Sequence, residues 1–160
     1  MSLKRLYSEL KDIRKEPNSL YSVGPCENNF YKWEIILFGP PNTIFENAII
    51  EAYIEFPNDY PNKAPEFRFK NHLFHPNVYP DGRVCISILH EGVDETNYEK
   101  ISERWNPSQS VNSIIISIIS MIISPNLESP ANVDASKLWK NNYDEYSQII
   151  YKMIATSHNK

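Results

Sequence analysis

The chain has 160 residues, 41% hydrophobic and 22% charged, with a net charge of −4. This length and balance fit one domain over residues 1–160 with a real core, and the acidic charge argues against a nucleic-acid partner, which needs a basic face. The one strongly apolar run, Val111 to Ile123, is too short to insert in a bilayer. The N-terminus lacks the apolar core of a signal peptide, so Cys26 and Cys85 are expected as reduced thiols in a cytoplasmic setting.

Leu3, Leu6, Leu10 and Ile13 recur at three- and four-residue steps and predict an amphipathic helix from Ser2 to Lys15, stopped before Pro17. Lys4, Arg5, Lys11 and Arg14 fall off that stripe. The helix either packs on a sheet with a solvated charged side or presents a basic docking surface. Residues 20–70 read as strands separated by turns. Tyr31, Trp33, Ile35 and Leu37 alternate with Lys32, Glu34 and Ile36, the pattern of a half-buried strand broken by Gly39-Pro40-Pro41-Asn42. Ile49 to Phe56 is a second strand, and Phe67 and Phe69 mark a third. Pro57, Pro61 and Pro65 stiffen the connection between them. The half reads as an antiparallel meander.

A connection of about 15 residues leads to Cys85, a length that is uncommon unless the loop has a job. It holds His75-Pro76-Asn77 and the Pro80-Asp81-Gly82 turn. Beyond it, His90 to Arg104 carries five carboxylates (Glu91, Asp94, Glu95, Glu99, Glu103) against two cations, and reads as an exposed acidic loop. After Trp105-Asn106-Pro107, Ser113, Ser117, Ser120 and Ser124 form a polar stripe among isoleucines, which suits a nearly buried central helix ended by Pro125. Two further helices are expected over Asp134–Asn141 and Tyr143–Ser157. Tyr146, Ile149, Ile150, Met153 and Ile154 form the apolar face of the second.

A free cysteine taken alone is usually a small buried hydrophobe. Cys85 has more around it: a tight turn before it, an asparagine amide that a folded-back loop could aim at an acyl oxyanion, and an acidic wall after it. No metal site is expected, because Cys85 with His72, His75 and His90 lacks paired ligand spacings. A cysteine hydrolase needs a histidine within reach of the sulfur. His75 and His90 are the candidates, although their spacing does not require that geometry. His75, next to a proline, reads as structural, with a ring nitrogen bonded to backbone. Gly39-Pro40-Pro41 lacks the glycine–lysine pattern of a phosphate loop.

These residues resemble the ubiquitin-conjugating enzymes. The likeness runs through the N-terminal helix, Trp33, Gly39-Pro40, Phe56-Pro57, Tyr60-Pro61, Pro65, His75-Pro76-Asn77, Gly82, Cys85, Trp105, Pro107, Pro125-Asn126 and the C-terminal helices. The insertion between Leu89 and Trp105, with Ser129-Pro130-Ala131-Asn132, resembles the long-loop G-type subgroup. The resemblance implies an α+β fold: a four-stranded antiparallel sheet with an N-terminal helix, a central helix and C-terminal helices.

It also implies roles. Cys85 would accept ubiquitin from the activating enzyme as a thioester and pass it to a lysine amine. Asn77 would stabilise the oxyanion or hold the loop that does so, and Ser129 would help the incoming lysine. His75, Pro76 and Tyr79 would support the site. The acidic loop would shape lysine access and chain building, in degradation by the proteasome. Lys4 and Arg5 would meet the activating enzyme, and Asn62 and Pro107 a RING-type ligase. A protein substrate completes the partners, no cofactor is implied because ATP is used upstream, and any recruitment to the endoplasmic reticulum would go through a partner. The chain departs from the family pattern at Asn62, Ala64, Leu127 and Phe45-Glu46-Asn47-Ala48, where Asn47 is expected to be left-handed.

Overall fold

Sequence order and spatial order coincide in the sheet. Strands β1 (Tyr21–Cys26), β2 (Asn29–Phe38), β3 (Ile49–Glu55) and β4 (Glu66–Phe69) pair antiparallel in the order β1-β2-β3-β4. The structure is a computed structural model that describes residues 2–92 and 101–158. Its helices are α1 (Ser2–Lys15), α2 (Val111–Ile123), α3 (Val133–Asn141) and α4 (Tyr143–Ser157), with short 3-10 turns at Ser87–Leu89 and Ile101–Glu103. The α+β architecture is the one the sequence implied.

Register follows the two-residue alternation. Trp33 lies opposite Ile54, which lies opposite Phe67, and Ile35 is aligned with Ala52 and Phe69. All six are buried on one face, so a one-residue slip would expose the whole set. Strand β1 has no such signature. It contains Gly24-Pro25, its register shifts at Pro25/Cys26, and only Tyr21 is buried. An edge position tolerates that composition, which is why alternation alone distinguished three strands. The β2–β3 turn is tight: a Cβ on Gly39 would lie 1.5 Å from Phe45 O. Asn47 has φ 71°, as expected, and Asn42 has φ 63°.

Helix α1 departs from its predicted stripe. Leu6 and Leu10 are buried, but Leu3 is 42% exposed, and Ser2 and Glu9 occupy the inner side instead. A buried carboxylate needs partners, and Glu9 has three. Its Oε1 accepts from Val111 N at 2.7 Å, and its Oε2 accepts from Tyr60 Oη and from Arg5 Nε at 2.9 Å. Burial, reinforced by the adjacent carboxylate, pushes the Tyr60 phenol up, which keeps it a donor. Val111 is the first residue of α2, so Glu9 satisfies an N–H with no partner inside that helix. Arg5 continues the link by donating to Pro107 O at 3.0 Å and Gln109 O at 2.7 Å.

Helix α2 begins with a capping box between Ser110 and Ser113 and buries Val111, Ile114, Ile115, Ile118, Ile119, Met121 and Ile122 against the sheet. Ser113 of the predicted stripe thus serves the cap, while Ser117 and Ser120 stay on the outer side. Among the described residues no helix is long and apolar enough to cross a membrane.

Glu9→Ala should cost about 3 kcal/mol in urea unfolding, because it strands the Val111 N–H, the Tyr60 hydroxyl and the Arg5 guanidinium together. A loss below about 1 kcal/mol would show that these groups re-pair without it.

Candidate active site

The segment that carries the cysteine is folded back on itself by its backbone. Gly82 has φ 92°, and a Cβ there would lie 2.4 Å from Phe69 O, so the turn admits only glycine without a shift. Gly82 N donates to Tyr79 O at 2.9 Å and Tyr79 N to Arg83 O at 2.8 Å. The result brings Cys85 N to 2.9 Å from Asn77 O. The cysteine is therefore fixed by its main chain while its side chain remains partly exposed.

His75 is fully buried and locks the other end of this segment. Its Nδ1 accepts from Asn77 N at 3.0 Å, which leaves the proton on Nε2. That N–H points at Met121 O (3.0 Å) and Ile122 O (3.2 Å), in the last turn of α2. Burial lowers its pKa from 6.5 to about 4. With both ring nitrogens engaged by backbone, His75 is no base for Cys85.

Asn77 is 1% exposed and forms a two-point clamp: Nδ2 donates to Asn126 O at 2.8 Å and Oδ1 accepts from Asn126 N at 2.9 Å. Buried Pro76 contributes through its carbonyl, which accepts from Ala131 N (2.8 Å) and Asn132 N (3.0 Å). The corner therefore holds the segment after α2 at points on either side of Ser129. Tyr79 turns its side chain away from the buried corner. Its ring is 38% exposed beside the Arg83 guanidinium, and its contribution is the backbone pairing of the turn.

These constraints leave a groove of about 650 Å³ that brings together Cys85, Asn77, Asn126, Ser129, His90 and Glu103. One wall is hydroxylic: Ser87, Ser117, Ser120 and Ser124 also line it. The stripe read as the polar side of a central helix thus faces the cysteine. Its periodicity was visible in the sequence, but the face it turns to was not. Asn126 was quoted in the resemblance without a role, and only the folded clamp reveals one.

The acidic loop is closed at its stem. Trp105 N donates to His90 O at 2.8 Å and its Nε1 to Pro61 O at 2.9 Å, while Arg104 holds Glu91 O and Gly92 O at 2.7 and 2.9 Å. Glu103 reaches the groove. Glu91 instead accepts from Ala64 N at 2.8 Å. Asp94, Glu95 and Glu99 lie outside the described residues. Of the expected partner contacts, Lys4, Asn62 and Pro107 are exposed. Arg5 is not a free docking cation, being held by Glu9, Pro107 and Gln109. Among the described residues, no cluster of three or more His, Cys, Asp or Glu is placed to hold a metal.

A groove with an open thiol and hydroxyl walls, beside a buried His75 committed to backbone, suits acyl transfer. Comparison with known proteins agrees. Residues 5–154 match the sequence model of the family described as "Ubiquitin-conjugating enzyme". The chain is 46% identical over 158 residues to the human "Ubiquitin-conjugating enzyme E2 G2", covering 98% of this chain and 96% of that one. It is 47% identical over 154 residues to Arabidopsis thaliana "Ubiquitin-conjugating enzyme E2 13", covering 95% and 93%. With Schizosaccharomyces pombe "Ubiquitin-conjugating enzyme E2-18 kDa" it shares 43% over 155 residues, covering 96% and 93%.

The His75 environment has a pH signature. Between about 6.5 and about 4 the unfolded chain binds a proton that the folded one refuses. Stability should therefore be complete above that window and fall as the pH drops through it, by on the order of 3 kcal/mol. Urea unfolding from pH 7 to pH 4 should show a steeper decline for the native chain than for His75→Asn, and equal slopes would contradict the assignment.

Proposed function

The chain belongs to the ubiquitin-conjugating enzyme family, in its G-type subgroup, and on that premise we propose that Cys85 carries ubiquitin as a thioester while Asn77, Ser129 and Glu103 govern its discharge to lysine. Its family membership makes it a transferase of ubiquitin that works with an activating enzyme and a ligase. The observation that carries the assignment is the Cys85 geometry: a thiol on a groove, on a backbone fixed to Asn77.

In the first step the Cys85 thiolate attacks the carbonyl of ubiquitin's C-terminal thioester on the activating enzyme, whose thiolate leaves. In the second, a neutral lysine amine attacks the new thioester carbonyl. The tetrahedral oxyanion collapses, the Cys85 thiolate departs, and the amine's extra proton passes to solvent, directly or relayed by a groove hydroxyl. A thioester is already activated, so this step needs no strong base. It needs an amine that is positioned and stripped of water, since desolvation disfavours the charged ammonium. Ser129 and the hydroxyl wall can accept hydrogen bonds from that amine, and Glu103 attracts it.

For Asn77 the clamp on Asn126 supports the loop-holding role directly. Direct donation to the oxyanion would require Nδ2 to leave Asn126 O. The finer reading extends the subgroup resemblance seen in the sequence: polyubiquitin chains built in the cytoplasm with a RING-type ligase, for proteasomal degradation, with any endoplasmic-reticulum recruitment through a partner. The acidic loop would set lysine access in that process.

Incubation with activating enzyme, ATP and ubiquitin should give a thiol-sensitive adduct, replaced by a thiol-resistant ester in Cys85→Ser. An adduct that persists in Cys85→Ala would sink the assignment. Asn77→Ala should charge almost normally but discharge to free lysine about a hundredfold more slowly; equal losses in both steps would refute a role in discharge. Removing residues 91–102 should impair chain formation more than charging, and unaltered chain formation would strip the loop of that role.

A further inference from the structure

A second groove, of about 490 Å³, lies between the β2–β3 turn and helices α3 and α4 and shares no lining residue with the cysteine groove. Trp139, Tyr143 and Tyr151 line it from the helices, and Ile44 and Glu46 from the turn. The Trp139 and Tyr143 rings meet at 86° with centroids 5.1 Å apart, which makes two perpendicular aromatic walls. Tyr143 is 42% and Tyr151 47% exposed. Glu46 is the one charged residue of the lining, and among the described residues its carboxylate has no ion pair. The Trp139 indole N–H and both phenol hydroxyls likewise have no hydrogen-bond partner there.

The walls are fixed before anything binds. Thr43 Oγ1 donates to Pro40 O at 2.7 Å, and Ala48 N to Phe45 O at 2.9 Å, which braces the turn. His158, at the end of α4, donates from Nε2 to Asn47 O at 2.6 Å and ties the two sides together. Preorganised walls spare a ligand the cost of ordering them.

Aromatic faces present the negative side of their quadrupole, and a lone carboxylate adds to it. With no cation in the lining, an anionic ligand has nothing to meet. We propose that this groove binds an arginine side chain of a partner protein, its guanidinium stacked on the Tyr143 ring with an edge toward Trp139 and its N–H groups directed to Glu46. The planar fork of arginine suits this better than the compact, strongly hydrated ammonium of lysine, because it can stack and pair with a carboxylate at once.

The test is a titration of the full chain with acetyl-Gly-Arg-Gly-amide, followed by the Trp139 indole N–H cross-peak, with acetyl-Gly-citrulline-Gly-amide as the neutral isostere. The arginine peptide should give a saturable shift in the millimolar range, and citrulline should bind at least threefold more weakly. Glu46→Gln and Tyr143→Ala, both exposed positions, should each weaken arginine binding about threefold or more while leaving the remaining cross-peaks in place. No saturable shift, equal binding of the citrulline peptide, or unchanged affinity in both variants would overturn the proposal. Ubiquitin charging uses the other groove and should be unaffected by Glu46→Gln, so this outcome is separable from the thioester assignment.

Discussion

A single neutral imidazole holds together the parts that meet at Cys85. The last carbonyls of a helix have no partners inside it, and in α2 the carbonyls of Met121 and Ile122 find theirs in His75 Nε2. The opposite ring nitrogen accepts from Asn77 N. One side chain therefore reads the end of a helix and the start of a loop at once, and it does so only while it carries one proton. Asn77 and the Pro76 carbonyl pass that constraint to Asn126 and to the Ala131–Asn132 backbone. Without the imidazole the loop would lose its direct tie to the end of α2 and keep only its bonds to the segment beyond.

The other end of α2 is secured by chemistry of the opposite kind. Glu9 places a carboxylate against the Val111 N–H, where the helix dipole favours negative charge. Tyr60 and Arg5 compensate it, so the buried charge leaves no polar group unpaired. The helix whose serines face the cysteine is thus held at both termini by side chains from other parts of the chain. Its apolar side does the packing, and its polar side is left for the groove.

Much of this was legible in the sequence where the signal is local. The alternation from Tyr31 to Leu37 marked β2 as a half-buried strand, and the serine spacing marked a helix despite its isoleucines. The misses are non-local. Glu9 looks like half of an exposed i, i+4 pair with Arg5, because its other partners are 51 and 102 residues away. Leu3 fits the apolar stripe, but the inner side of the helix turns toward Ser2 and Glu9. Strand β1 hides because an edge strand with Gly24-Pro25 need not alternate. Cys85 and Asn77 stood out through the turn and the His-Pro-Asn corner before the family resemblance gave them roles, and their fixing through backbone appears only in the fold.

The serine wall also bears on how such a site can change over time. Ser117, Ser120 and Ser124 border the groove yet belong to none of the buried core packing. Each hydroxyl both donates and accepts, so the wall does not dictate the polarity of what passes along it. Replacing one serine by alanine deletes a single oxygen and leaves the helix anchored at both ends. The groove can therefore change in preference, one small side chain at a time, without disturbing the bonds that aim the cysteine.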